Sequence, residues 1–488
     1  MQATGDGLFR VAVSLDRRPF AGVRMWHGAV AGWVRADRAP AVAARNRHCT
    51  EREATRGNDV SLSAIQSTTA RQILDSRGRP TVEVDVRLAD GSFGRASVPS
   101  GASTGTHEAH ELRDGDGSYE GRGVRRAVAH VNGEIAAAVK AAEATAQREV
   151  DARLVELDGT ARLERLGANA ILGVSLAVCR AAAAHRGQPL HAHIAALAGT
   201  GGSTMPMPMV NILSGGLHAG RGMDAQDFLV IPAAARSIDE AIELASRVRD
   251  AAARVMEKRG LSTLLADEGG LSPGLATGRD ALQLIVESIE EAGLRPGADV
   301  VIAIDVAATA LWDRAAGAYR LAREGRLATS DEMIAMAEGW VNEFPVVSIE
   351  DALDEEDWPG WQRLTERLGR RIRLVGDDLF TTHLDRLRRG IAQRVANGVL
   401  VKLNQNGTLT GTLDVVAAAR AASYAPVISA RSGETEDAFI ADLAVGTAAG
   451  QIKIGSVRCG ERLAKYNQLL RIDEESRAPF AGMAAIRV

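Results

Sequence analysis

Hydrophobic residues in the second half of the chain occur in short uninterrupted runs, separated by longer segments of helical composition. Such runs are typical of strands that are buried on both faces, as in a parallel sheet covered by helices. From residue 204 onward the sequence predicts eight strands: 209–213, 228–231, 300–304, 346–349, 372–375, 399–403, 427–428 and 452–454. Helices are predicted between them, for example at 237–259 and 279–291. Eight strands alternating with helices favour a (β/α)8 barrel of the TIM type.

The preceding segment has a different pattern, in which strand and helix signals are mixed. Apolar and polar residues alternate over 82–88, which predicts a half-buried strand. Residues 89–92 predict the turn of a hairpin that returns through 93–98. Two helices and a linker are predicted after it: 124–140, 168–185 and 199–203. We therefore predict an α/β protein with a smaller α+β domain at 63–203, which caps a barrel at 204–488.

The first 62 residues differ from both of these parts. They contain ten arginines, no lysine and six acids, with little hydrophobic periodicity. We interpret them as a disordered N-terminal extension, or as the result of a start codon assigned too far upstream. A transit peptide is the alternative, but the segment is poor in serine and lacks clear amphipathicity.

Composition narrows the functional classes. The net charge of −4 gives no sign of a nucleic-acid or membrane-surface partner. No apolar run approaches the roughly 20 residues that a membrane span needs. The three cysteines are far apart and give neither a disulfide framework nor zinc-ligand spacing, which favours a reducing cytoplasm.

Charged residues stand where five of the apolar runs end. The acids are Asp305, Glu350 and Asp377, and the amines are Lys402 and Lys453. Barrel enzymes carry their chemistry at the carboxyl ends of the strands, where three carboxylates are suitable ligands for Mg²⁺. Burial is expected to lower the pKa of Lys402 and to make it a general base. The alternative for each residue is a structural ion pair.

Loops rich in glycine and hydroxyl groups follow several of the predicted strands. Residues 100–105 are suited to a mobile lid, and 267–270 place an acid before two glycines. Residues 214–218 form another glycine-rich loop, which ends in a histidine. Arg431 and Ser432 follow the seventh barrel strand and form a candidate phosphate grip. Each of these loops, taken alone, is more often a simple turn.

Many longer strings occur together and in order. They include ILDSRGRPTVEVDV, PSGASTG, LGANAILGVSLA, DEGG, SIED, GDDLF, VKLNQNGTLT, RSGETEDAFIADLAV and AKYNQLLRI. With these strings the chain resembles the enolase (phosphopyruvate hydratase) family from about residue 64 to residue 472. The resemblance implies a modified barrel in which one early strand runs antiparallel.

The resemblance also implies a role for each candidate residue. It makes Asp305, Glu350 and Asp377 the ligands of a tightly held Mg²⁺, with Ser103 on a lid that reaches a second Mg²⁺ arriving with substrate. Lys402 is the implied base, and Lys453 lies beside the substrate carboxylate. The remaining implied assignments are Glu268 for departure of the β-hydroxyl, Arg431 and Ser432 for phosphate, and His218, Gln226 and Asp227 for substrate binding.

Three strings depart from the family pattern, all in active-site loops or strand ends. Aspartate replaces glutamate at Asp227, and alanine replaces histidine at Ala430. The family's Asn-Gly-Gly-Ser-His loop reads SGGLH at 214–218. The metal ligands and both lysines are unchanged.

These departures leave several functional hypotheses open. The first is an Mg²⁺-dependent lyase that converts 2-phosphoglycerate to phosphoenolpyruvate. The second is an enolase-like carboxyphosphonoenolpyruvate synthase of phosphinothricin-type antibiotic biosynthesis, and the third is a non-catalytic binding protein. We expect a small phosphorylated three-carbon acid as substrate and, by resemblance, a homodimer or higher homo-oligomer.

Overall fold

An antiparallel sheet backed by helices forms the N-terminal part of the fold. In the computed structural model, which describes residues 61–102 and 105–488, this sheet has the order β1-β2-β3. Its strands are β1 (Ile65–Leu74), β2 (Pro80–Leu88) and β3 (Phe93–Ser97). The helices are α1 (Arg125–His130), α2 (Ala136–Val139), α3 (Gln147–Asp158), α4 (Ala168–His185) and α5 (Leu190–Ala198). A π-helical turn at Val131–Ile135 joins α1 to α2.

Helix α4 is the core of this N-terminal part. The alternating apolar side chains of β2 are fully buried and belong to the same hydrophobic cluster as α4. At Gly94 in β3 an added Cβ would lie 2.0 Å from the carbonyl oxygen of Ala177, so glycine permits the close approach of strand and helix. Helix α4 is long and apolar enough to cross a membrane, but 83% of it is buried inside the protein, as expected of a core helix.

A closed barrel of eight strands forms the rest of the fold, with one small sheet inserted into it. The barrel strands are β4 (Met207–Ser214), β5 (Asp227–Ile231) and β6 (Val301–Asp305), followed after the insertion by five more. The inserted antiparallel sheet consists of β7 (Trp312–Asp313), β8 (Ala318–Leu321) and β9 (Arg326–Ala328). The later barrel strands are β10 (Val346–Glu350), β11 (Arg373–Gly376), β12 (Gly398–Val401), β13 (Ala425–Ser429) and β14 (Gln451–Gly455).

Helices surround the barrel. Two of them, α6 (Ile238–Lys258) and α7 (Gly278–Glu291), follow β5 and precede β6. The others are α8 (Ser330–Glu343), α9 (Trp358–Leu368), α10 (Leu384–Gln393), α11 (Leu403–Asn406), α12 (Leu409–Ala421), α13 (Phe439–Gly446) and α14 (Gly460–Ser476). Their buried sides belong to the same hydrophobic cluster as the outer faces of the strands.

One strand of the barrel runs against the others. Strand β5 is antiparallel to both of its neighbours, β4 and β6, and Asp227 is paired with Asp305 across the β5–β6 ladder. The other barrel pairs are parallel. Because β5 is reversed, its first residue lies at the same rim of the barrel as the last residues of the other strands.

The predicted barrel and its antiparallel early strand are confirmed. All eight predicted strands lie within or overlap observed ones, and the predicted helix at 168–185 coincides with α4. Strand β1 and the inserted sheet β7–β9 were not predicted from the hydrophobic pattern. The predicted N-terminal extension covers residues 1–62. Residues 1–60 lie outside the described part of the chain, so this expectation stays a prediction.

Candidate active site

Three buried carboxylates lie on neighbouring strands at one rim of the barrel. Asp305 is the last residue of β6, Glu350 is the last residue of β10, and Asp377 directly follows β11. These strands are adjacent and parallel, so their carboxyl ends meet. At most 8% of each residue is exposed. Their concentrated negative charge requires a cation close by.

Lys453, in the middle of β14, is one such cation. Its Nζ donates to Asp305 Oδ2 at 2.8 Å and to the two carboxylate oxygens of Glu350 at 2.8 and 2.7 Å. Burial opposes the charge of this amine, but Asp305 and Glu350 outweigh burial and raise its pKa well above the usual value. Burial, reinforced by Asp305, also raises the pKa of Glu350 well above its usual value. The raised pKa favours the cationic form of Lys453.

Lys402 is the second cation, and it follows β12 directly. Its Nζ donates to Asp377 Oδ2, while Gln405 Nε2 donates to Asp377 Oδ1 at 2.9 Å. Burial favours the neutral amine, but the charge of Asp377 outweighs it, so the pKa of Lys402 is raised. The predicted lowering of the Lys402 pKa is wrong. That prediction rested on the apolar neighbours of Lys402 in the strand and left out the charge of Asp377.

The donor set of this rim is suited to a hard divalent cation. Asp305, Glu350 and Asp377 offer only carboxylate oxygens, the ligands that Mg²⁺ prefers. In addition, oxygens of Asp351, Asp377 and Asp378 lie within 4.8 Å of one another and form a group able to hold a metal ion. In that group the Asp351 carboxylate accepts hydrogen bonds from the backbone amides of residues 377 and 378, at 2.9 and 2.7 Å.

A buried cluster of His218, Asp227 and Glu268 lies at the same rim. His218 Nδ1 is 3.4 Å from Asp227 Oδ2 and 3.7 Å from Glu268 Oε1. Burial opposes the imidazolium, but Glu268 and Asp227 outweigh it and raise the pKa of His218. Burial likewise opposes the charge of Glu268, but His218 and nearby cations lower its pKa. The raised pKa favours the protonated form of His218, which lies between two acids.

Asp227 is held away from the cavity at the centre of the site. Its Oδ1 accepts hydrogen bonds from Asn211 Nδ2 at 2.6 Å and from Ser214 Oγ at 2.8 Å, both in β4. The residue is fully buried, and burial raises its pKa. The lining residues of the central cavity are His218, Gln226, Glu268, Asp305, Lys402, Ser429, Ala430, Arg431, Ser432 and Lys453. Asp227 therefore lies behind His218, where it contacts the histidine and lines no part of this cavity.

Arg431 and Ser432 lie where β13 leaves the barrel, and residues from the N-terminal part hold both. Arg431 Nη1 donates to Glu108 Oε2 and to Asn404 Oδ1, each at 2.9 Å. Arg77 Nη1 lies 3.3 Å from Ser432 Oγ. The N-terminal part thus forms one wall of the predicted phosphate side.

The remaining predicted residues are Gln226 and Ser103. Gln226 Nε2 donates to Asp305 Oδ2 at 3.1 Å, and its Oε1 is buried without a hydrogen-bond partner among the described residues. Ser103 lies outside the described residues, so its predicted contact with a second Mg²⁺ stays a prediction.

Two further contributors were missed in the sequence. Glu108 pairs with Arg431, and Gln405 joins Asp377 to Glu108 through its Nε2, which lies 2.9 and 3.2 Å from their carboxylate oxygens. Gln405 stands within the string VKLNQNGTLT, where its position three residues after Lys402 was a usable signal. Glu108 gave no local signal, because its partner is more than 300 residues away.

The fold and the site together define a barrel enzyme with a carboxylate and lysine centre, closed on one side by an α+β part. Two family models match the chain: "Enolase, N-terminal domain" over residues 65–194 and "Enolase, C-terminal TIM barrel domain" over residues 202–488. The chain belongs to the enolase family. Membership of this family makes an enolase-type lyase activity the general expectation.

Proposed function

We propose that the protein is an Mg²⁺-dependent lyase that dehydrates 2-phosphoglycerate to phosphoenolpyruvate through an enolate. One observation carries this proposal: two lysines, each paired with predicted metal ligands, line the same cavity as Glu268. Removal of a proton next to a carboxylate creates a dianion, which needs several positive charges close by. The central cavity brings the charges of Lys402 and Lys453 close together.

The chain's own residues have distinct tasks in this proposal. Lys402 accepts the α-proton once its ammonium has been released from Asp377 and deprotonated. Lys453 offsets the charge that develops on the substrate carboxylate. Glu268 faces the departing hydroxyl, with the proton held on His218 beside it. Arg431 is placed to orient the phosphate.

Asp305, Glu350 and Asp377 would hold the divalent cation. When bound, it supplies positive charge to the substrate carboxylate, which is worth several kcal/mol in such reactions. The fit depends on the three buried carboxylates, which the structure places on adjacent strands.

The departures at Asp227 and Ala430 favour a second candidate function. An alanine can neither donate nor accept a proton, and Asp227 is withdrawn behind His218. Both changes affect the side of the site that handles the leaving hydroxyl, whereas the enolate side is intact. This combination favours a carboxyphosphonoenolpyruvate synthase, which joins an activated phosphonoformate to a three-carbon unit.

Proton exchange separates the two candidates. The full chain is incubated with 2-phosphoglycerate and Mg²⁺ in D₂O, and proton NMR follows both the α-proton and the vinyl protons of phosphoenolpyruvate. Loss of the α-proton signal together with vinyl signals supports the lyase. Exchange without vinyl signals supports the synthase, since the enolate forms but water is not lost.

Two lysine variants complete this experiment. Lys402→Met removes the base and is expected to lower the exchange rate at least about 1,000-fold, the scale of a lost general base. Lys140→Met changes an exposed lysine after α2 and serves as the control. Absence of exchange in the unmodified protein, or full exchange in Lys402→Met, would contradict an enolate formed by this lysine.

A further inference from the structure

A cavity away from the candidate active site lies between α4 and α5 of the N-terminal part and α13 and α14 of the barrel. It measures about 400 Å³, which is the size of a typical small-ligand site. All four helices contribute lining residues, as does the turn that joins α4 to α5. None of these residues lines the central cavity, and none has a role in the proposed reaction.

Asp442, in α13, places a buried carboxylate in the wall of this cavity. It is 4% exposed, and Gln468 Nε2 in α14 donates to its Oδ2 at 3.1 Å. Its one ion-pair contact among the described residues is with His191, whose Nδ1 lies 3.9 Å from Asp442 Oδ1. Burial lowers the pKa of His191, which favours the neutral imidazole near neutral pH. The carboxylate of Asp442 therefore has no permanently charged partner in contact with it.

The other charged groups of the wall do not supply that partner. Arg180, in α4, uses Nη1 and Nη2 to donate to the two carboxylate oxygens of Asp437, at 2.6 and 2.8 Å. Glu475 is exposed at the end of α14 and has no hydrogen bond or ion pair within the described part of the chain. Burial, which the charge of Arg180 only partly offsets, raises the pKa of Asp442 to about 6. The cavity thus carries two acids whose charges are not balanced by a paired cation.

Apolar side chains form the rest of the wall, among them Pro189, Leu190 and Ile472. A buried carboxylate without a paired cation costs free energy, which a bound cation recovers. An ammonium group offers three hydrogen-bond donors for such an acid, and a hydrocarbon chain attached to it gains free energy on an apolar wall. A hard metal ion needs several oxygen ligands, which this wall does not offer. The combination is therefore suited to an organic cation.

We propose that this cavity binds a small aliphatic amine, with its ammonium group on Asp442 and its hydrocarbon chain on Leu190 and Ile472. Glu475 attracts the amine at the exposed edge of the cavity. This binding site goes beyond the proposed function and stands without it, because the two sites share no residue.

The test is a ligand-observed NMR titration of the full chain at about pH 8, where Asp442 is charged. Butylamine is the probe, 1-butanol has the same chain without the charge, and ammonium chloride has the charge without the chain. We expect butylamine to bind at least about tenfold more tightly than either. No binding of butylamine up to about 50 mM, or equal binding of 1-butanol, would overturn the proposal.

An ammonium group on a short chain is also the end of a lysine side chain. Nα-acetyl-lysine methylamide therefore serves as a further probe, since it carries the same ammonium together with two peptide groups. It is expected to bind at least about threefold more weakly than butylamine, because the peptide groups lose water at an apolar wall. Equal or tighter binding of this lysine analogue would overturn the assignment to a free amine.

A charge variant locates the bound ammonium. Asp442→Asn removes the charge and keeps a carbonyl oxygen as acceptor for Gln468, and it is expected to weaken butylamine binding at least about tenfold. Glu474→Gln is the matched control, because this acid is exposed, neighbours Glu475 in α14 and does not line the cavity. Equal weakening by the two changes would show nonspecific attraction to a negatively charged protein and would contradict the site.

A space-filling variant locates the hydrocarbon chain. Ala184→Leu narrows the cavity from an exposed position in α4 and is expected to weaken butylamine binding at least about fivefold. Unchanged binding in both Ala184→Leu and Asp442→Asn would overturn the assignment. Thermal unfolding shows whether each variant is folded, and amine binding is measured without turnover. Failure of the enolate proposal is therefore distinguishable from failure of this one.

Discussion

Asp227 and Ala430 are two positions at which the resemblance to enolases implies a different residue. The Asp227 carboxylate is held by Asn211 and Ser214, so it reaches His218 and not the central cavity. Ala430 lines that cavity with a methyl group, at the position where the resemblance to enolases implies a histidine. Ala430 has no group able to move a proton, and Asp227 keeps a carboxylate that does not reach the central cavity. Both lysines are unchanged.

Restoring both residues is therefore expected to raise dehydration activity. The change is Asp227→Glu together with Ala430→His, and the expected gain in formation of phosphoenolpyruvate from 2-phosphoglycerate is at least about tenfold. The reason is geometric, since about 1 Å of misplacement at a catalytic group typically costs about 100-fold. Phosphoenolpyruvate absorbance measures the gain.

Ser429→Ala is the control for this double change. Ser429 neighbours Ala430 in the same cavity wall, and among the described residues its hydroxyl donates only to the backbone carbonyl of Ala430. It is expected to leave dehydration nearly unchanged. A double variant that gains nothing would show that other residues limit the reaction.

For individual residues, the sequence predicted the charged side chains of the site but not the side chains with which they form ion pairs. The acids and lysines were found because each one ends an apolar run, a local signal. The pairing of Lys402 with Asp377 joins two strands and reverses the expected direction of the pKa shift. Partners of this kind follow from the order of strands in the barrel, which no local pattern contains.

Among the elements, strand β5 has the greatest effect on the site. A hydrophobic run predicts a strand but gives no direction, and only the family resemblance implied that an early strand is reversed. Its reversal brings Asp227 to the rim that holds Asp305. The small sheet β7–β9 was missed because its strands have only two to four residues and exposed positions among the buried ones.

Helix α5 contains a buried histidine with a pH-dependent effect on stability. His193 is fully buried, and neither ring nitrogen has a hydrogen-bond partner among the described residues. Burial, with a smaller effect of Arg186, lowers its pKa from 6.5 to about 4. The folded state therefore binds this proton less readily than the unfolded state. The associated stability is fully present above pH 6.5 and is lost as the pH falls from 6.5 towards about 4.

His193→Leu should remove this pH-dependent contribution. Between about pH 7.5 and about pH 5, the unmodified protein is expected to lose about 2 kcal/mol more stability than the variant. Urea unfolding at the two pH values measures the difference. His185→Leu is the control, since that histidine is more exposed and pairs with Asp90 at the surface. Equal pH dependence in the unmodified protein and in His193→Leu would contradict a titrating His193.

On the scale of the whole molecule, the candidate site belongs to two parts of the fold. The described residues, 61–102 and 105–488, belong to one compact unit, in which loops of the N-terminal sheet reach the barrel rim. Glu108 holds Arg431, and Arg77 contacts Ser432. The phosphate side therefore depends on contacts across the molecule, which explains why the sequence predicted its residues but not what orients them.

Gly433 permits the close contact between the N-terminal loops and the barrel rim at Ser432. Its backbone forms a two-way hydrogen-bonded bridge with Ser100, and an added Cβ would lie 2.4 Å from Arg77 Nη2 and 2.5 Å from Asp75 Oδ2. Gly433→Ala is therefore expected to push the N-terminal loop away from Ser432. Because the loss concerns substrate positioning, KM for 2-phosphoglycerate in the exchange reaction should rise at least about tenfold.

The matched control is Gly202→Ala, because an added Cβ at this linker glycine meets nothing within 4 Å and its φ is not positive. It should leave KM unchanged. Limited proteolysis provides a second measurement, since a displaced N-terminal loop becomes accessible to cleavage near residue 100 only in Gly433→Ala. Unchanged KM and unchanged cleavage in Gly433→Ala would mean that the barrel orients the phosphate side without the N-terminal loops. Glu108 would then be a structural partner of Arg431 with no part in substrate binding.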